Sequence, residues 1–183
     1  MRLSWKHILI YIMPLLIMAF IFAQSALPAD LSSEESGFFV DWICRIIKAD
    51  PEIVTVVVRK TAHFSEYFAL GMSLSAAVLT GAVTKRHIRR EETEYRCGDV
   101  GQYTDRKDRF KEESKKIIWT EGSGILLMQA SLIGVLYAVS DEIHQCFVSG
   151  RSGELRDVLI DSCGVICGVV ILRLLAGRKA ACE

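Results

Sequence analysis

Ionisable and hydrogen-bonding residues recur at helical spacing in a chain that is otherwise strongly apolar. His63, Glu66, Tyr67 and Leu70 differ by three, four and seven positions, so on a helix they share one face. Asp141, His144 and Gln145 repeat the pattern. Asp157 and Asp161 lie one turn apart, with Gly164 and Gly168 continuing their stripe, glycines that allow close helix approach. Two imidazoles beside several carboxylates have the residue types for general acid–base chemistry, in which a carboxylate orients a histidine. Lys60 and Arg151 could hold an anionic group such as a phosphate. No Ser or Cys carries a nucleophile motif, so water would be the attacker in any hydrolysis. No HExxH or equivalent spacing occurs, and no metal or cofactor is expected.

The elements that must position these groups are apolar blocks. The chain has 183 residues and a formal net charge of zero, but its charges are crowded between long apolar stretches. A spanning helix needs roughly 20 apolar residues, because the hydrocarbon core is about 30 Å thick. Four stretches approach that length, at about 8–27, 61–84, 117–147 and 157–176. They predict an all-α, integral membrane four-helix bundle formed by one domain over 1–183. The first block reads as an uncleaved helix and not as a signal peptide. Its apolar run is too long for a signal, and Pro28 lies close to any cleavage point. Pro14 is tolerable, since neighbouring helices can re-satisfy the freed backbone group. The third block exceeds one span, so its ends are expected to emerge or the helix to tilt. The six cysteines have no CxxC pair and read as small apolar fillers.

Two further segments connect the spans. Between Pro28 and Lys60, a polar start at Asp30, Ser32, Ser33 and Glu34 precedes Phe38, Phe39, Trp42, Ile43, Ile46 and Ile47 on one helical face. This predicts an interfacial helix, a soluble loop helix being the alternative. Asp50-Pro51 ends it. From Lys85 to Lys116 come eleven Lys or Arg and eight Asp or Glu, a solvated linker or irregular helix.

Orientation follows the distribution of Lys and Arg. The two termini and the 85–116 loop together carry fifteen, and the other two loops carry six. Both termini and the charged loop are therefore expected in the cytoplasm, with the first and third loops outside. On that topology every span has its polar groups at the outer end. Gln24 and Ser25 close the first and Arg59, Lys60, His63, Glu66 and Tyr67 open the second. Asp141, Glu142, His144 and Gln145 close the third, Arg151 follows in the loop, and Asp157 and Asp161 open the fourth. Charged groups near lipid are costly, so they pair, line a wet cavity or do chemistry. The blander alternatives are a structural ion-pair network, snorkelling of Arg59 and Lys60, and a helix-dipole role for Asp157.

At these residues the sequence resembles the VanZ-like family. The first motif is Phe22-Ala23-Gln24-Ser25. The second is Arg59-Lys60-Thr61-Ala62-His63-Phe64-Ser65-Glu66-Tyr67-Phe68-Ala69-Leu70-Gly71. The most specific is Ser140-Asp141-Glu142-Ile143-His144-Gln145-Cys146-Phe147, followed by Gly150-Arg151 and Asp157 through Gly164. Ala23 stands where the family often has serine, Ser149 where it often has proline, and the charged loop is longer than usual for it. The resemblance implies a bacterial plasma-membrane protein, in a family whose named member is associated with low-level teicoplanin resistance.

Three function classes follow. One is an enzyme acting on a lipid-linked or cell-envelope substrate, with His63 or His144 as acid or base and Glu66, Asp141 or Glu142 orienting. Another is a binding or accessory protein whose pocket captures an envelope lipid or glycopeptide antibiotic without chemistry. Gln24, Ser25, Lys60, Tyr67, Gln145, Arg151, Asp157 and Asp161 are the candidate binding groups. A transporter is disfavoured, because a pathway needs polar groups near the midplane. Nothing in the pattern points to nucleic acid.

Overall fold

The computed structural model describes residues 5–28, 37, 40–46, 48, 50–96 and 121–181. Four long helices account for nearly all of them: α1 (Trp5–Ser25), α2 (Pro51–Arg96), α3 (Glu121–Gln145) and α4 (Leu155–Ala181). No strand occurs among the described residues. Four stretches are long and apolar enough to cross a membrane: His7–Ser25, Pro51–Arg86, Ser123–Gln145 and Leu155–Ala176. Large apolar side chains such as Leu15, Met128, Leu136, Leu159 and Leu174 are exposed on their outer faces. Lipid tails satisfy such faces as well as a protein core would, and a helix satisfies its own backbone.

The helices run up and down. Tyr11 of α1 lies beside Gly81 of α2, whereas Ser25 of α1 meets Asp141 at the far end of α3. The chain ends of α1 and α4 therefore share one face of the bundle with the end of α2. The ends near Ser25, Gln145 and Leu155 gather at the other. The core between them is built from Ile21, Tyr67, Leu70, Leu74, Leu127, Ala138, Val165 and Val169.

In lipid, helices associate by close packing more than by hydrophobic expulsion. The α2–α4 contact shows this most directly. A Cβ on Gly164 would fall 2.6 Å from the carbonyl oxygen of Phe64, and one on Gly168 would collide with the carbonyl oxygen of Phe68. Gly71 stands in the same relation to the Val165 carbonyl. The two backbones thus touch along a seam where only hydrogen fits. Hydroxyls inside the spans are satisfied locally: Ser75 donates to the Gly71 carbonyl at 2.8 Å and Thr84 to Thr80 at 2.9 Å.

The boundaries differ from the sequence expectation for physical reasons. The second helix begins at Pro51 and not at Thr61. Asp50 caps it, its Oδ1 accepting from the Glu52 amide at 2.9 Å, and Pro51 fills the first helical position, where no donor is needed. The 46-residue α2 is about twice as long as a bilayer requires and carries its cations near both ends of the 61–84 stretch. It continues regularly through Arg96, into the segment expected as linker or irregular helix. The third helix stops at Gln145, so Phe147 belongs to a turn and is 84% exposed. Gly150, at a φ of 74°, reverses the chain there. Residues 40–46 are helical, with Trp42 and Ile46 exposed and Val40 buried. Asp30–Glu34, Phe38, Phe39, Ile47 and residues 97–120 lie outside the described residues.

Candidate functional site

The polar ends meet where α3 turns into α4. Glu142 Oε2 accepts from the backbone amide of Glu154 at 2.9 Å, pinning the end of α3 to the start of α4. The Glu154 carbonyl then receives the amides of Asp157 and Val158, at 2.9 and 3.2 Å. Gly153 fits this junction because a Cβ would sit 2.5 Å from the Glu142 carbonyl oxygen. Arg151 reaches back to α1: Nε donates to the Leu27 carbonyl at 2.9 Å and Nη2 to the Gln24 carbonyl at 3.2 Å. These carbonyls lie at and just past the end of α1, where the i+4 amides are missing and Gln24 keeps only the Leu27 amide at 3.3 Å, so a forked cation suits them. Burial lowers the Arg151 guanidinium from its ordinary value, but that value is so high that the group stays charged.

Asp141 is the buried hub. Its Oδ2 accepts from Ser25 Oγ at 2.8 Å and from Gln145 Nε2 at 3.2 Å. Gln145 also donates to Glu142 Oε1 at 3.2 Å. Electrostatically, Asp141 faces His63, Glu66, Tyr67 and Asp161. Lys60 and Asp157 form an ion pair joining α2 to α4. Several polar atoms are buried without a hydrogen-bond partner among the described residues: His63 Nδ1, His144 Nδ1, Tyr67 Oη, Asp141 Oδ1 and both carboxylate oxygens of Asp161.

A cavity of about 320 Å³ opens beside this cluster. Of the sequence-derived candidates, Lys60, His63, Gln145, Arg151, Asp157 and Asp161 line it. Ser25, Asp141, Glu142 and Tyr67 are buried in the adjoining core without lining it. Glu66 is half-buried and faces Asp141, but does not line the cavity. Gln24 contributes its carbonyl to Arg151. The His144 ring packs against Phe22 at a centroid distance of 4.4 Å, on the α1 side of the bundle. Neither His63 nor His144 shares a hydrogen bond with Glu66, Asp141 or Glu142 among the described residues.

The sequence reading did not single out Arg156, Glu154, Val56 or Ile160, which also line the cavity, and read Arg59 as snorkelling. A signal for part of this was present. Val56, Arg59, Lys60 and His63 differ by three, four and seven, extending the α2 face by more than a turn. The lining therefore brings together four cations, Arg59, Lys60, Arg151 and Arg156, with the acids Glu154, Asp157 and Asp161.

Such a bundle, with apolar outer faces and a polar cavity at one end, is that of a helical membrane protein. The family model for VanZ/LLP1 matches residues 9–176, and the chain belongs to that family. No curated protein and no solved structure matches it.

Proposed function

We propose that this protein binds the phosphate-bearing head of a cell-envelope lipid in the cavity between α2 and α4, at the outer face of a bacterial plasma membrane. One observation carries the reading: the Arg59 and Arg151 side chains line one cavity. Like charges held together beside a void are relieved by an anion. A guanidinium also matches phosphate oxygens through paired donors. Arg156 adds positive charge to the same lining, where Lys60 is paired with Asp157. The size of the cavity suits a headgroup, near the lower end of roughly 300–1,000 Å³ for small-molecule sites. The outer placement rests on the excess of Lys and Arg near the opposite helix ends.

Binding without catalysis is the better-supported reading, because among the described residues neither His63 nor His144 has the carboxylate hydrogen bond that would orient a base. The test is equilibrium binding of phospholipid to the detergent-purified protein, followed by native mass spectrometry. Arg59→Gln and Arg156→Gln keep polarity, and neither side chain anchors a helix end. Together they should weaken phospholipid retention by about tenfold or more at unchanged abundance. Retention equal to wild type in the double variant would overturn the reading, as would preferential capture of a glycopeptide over every phospholipid offered.

A further inference from the structure

The cavity has a second chemistry that its cations do not use. Asp161 lines it, is 1% exposed, and has no hydrogen-bond partner among the described residues on either carboxylate oxygen. Burying a carboxylate without donors is among the most costly arrangements a fold can hold, and more so within a membrane span. The neighbouring acids deepen the deficit. Glu66, Asp141, Glu142 and Asp157 all face Asp161. Asp157 is matched by Lys60, while Asp141 Oδ2 and both oxygens of Glu142 accept from neutral donors, Ser25, Gln145 and the Glu154 amide. The donors that reach this acidic cluster leave both oxygens of Asp161 unmet. His63 Nδ1, in the same lining, is also without a partner among the described residues.

Resting on the phosphate reading above, we infer that the ligand is dipolar: its phosphate is held by the Arg59 and Arg151 side of the cavity, and an ammonium carried on the same headgroup donates to Asp161. An ammonium supplies what this carboxylate lacks, positive charge and several N–H donors on one small group. The ligand class is therefore an aminoalkyl phosphodiester, of which a phosphoethanolamine head is the simplest. A quaternary ammonium has the charge without the donors, and a glycerol head has donors without the charge. Both should bind less well.

The experiment is a competition on the full-length protein in detergent. Equimolar lipids with identical acyl chains carry ethanolamine, N-methylethanolamine, N,N-dimethylethanolamine, choline or glycerol heads. The retained lipids are then counted by native mass spectrometry. Wild type should enrich ethanolamine heads by about tenfold over choline and glycerol, with the enrichment falling as each N–H is replaced by methyl. Asp161→Asn should lower ethanolamine retention to the level of the glycerol lipid. The methylation series on wild type reads the same donor requirement if that variant fails to insert. Phospholipid retained without headgroup preference overturns the ammonium assignment alone. Preference for the glycerol head also overturns it, since a protonated Asp161 would then be donating. No retention of any phospholipid overturns both this inference and the phosphate reading.

Discussion

Ser25 Oγ donates a 2.8 Å hydrogen bond to Asp141 Oδ2, tying the last residue of α1 to a buried carboxylate on α3. Both side chains are almost wholly buried. Ser25→Ala removes one of the two donors to that oxygen, leaving only Gln145. A buried acceptor that loses a donor costs about 1–3 kcal/mol. Unfolding of the purified protein in mixed detergent should show a destabilisation of that size, with α1 separating first. Stability equal to wild type would mean that the contact contributes nothing to the bundle.

The glycine seam between α2 and α4 makes a contrasting pair of substitutions informative. Gly168→Ala would place a methyl group against the Phe68 carbonyl, and that backbone cannot step aside without moving the helix. Gly124→Ala adds the same methyl group where nothing lies within 4 Å, and alanine favours the helix by up to about 1 kcal/mol. Membrane abundance and thermal stability should fall sharply for the first and hold or rise for the second. Equal behaviour would show that α2 and α4 are not in backbone contact.

Orientation has a direct chemical readout. In a background lacking accessible native cysteines, Ser152→Cys in the α3–α4 connection should react with an impermeant thiol reagent applied to intact cells. Thr104→Cys should react only after the membrane is opened. The reverse pattern would put the cavity on the cytoplasmic side and remove an outer-leaflet ligand.

The parts of this fold that were legible in the sequence are those governed by local rules. Apolar length marks a span whatever it packs against, and the stripe Asp157, Asp161, Gly164, Gly168 announced a close helix contact. The partner of that stripe was not legible, because the carbonyls of Phe64 and Phe68 leave no trace in side-chain pattern. Residue types at the polar ends suggested a shared site, but not its division into a cavity lining and a buried core. Whether Asp141 lines the cavity or sits in the core depends on how α1 and α3 are rotated about their axes. Arg151 shows the same limit: its partners are the main-chain carbonyls of Gln24 and Leu27, and any residue types would supply those. Phe147 was misplaced because apolarity outweighed the turn signal at Gly150.

Occupancy of the recess lined by Arg59 and Arg151 can be read with a phospholipid carrying a photoreactive diazirine on its head, activated in membranes containing the protein and followed by peptide mapping. The predicted adducts fall on Val56 to His63 of α2 and on Gly150 to Asp161, the segments that line the cavity, and they disappear in the Arg59→Gln, Arg156→Gln double variant. Adducts confined to the exposed apolar faces, at residues such as Leu132 and Leu136, and unaffected by that variant, would contradict headgroup occupancy of the recess.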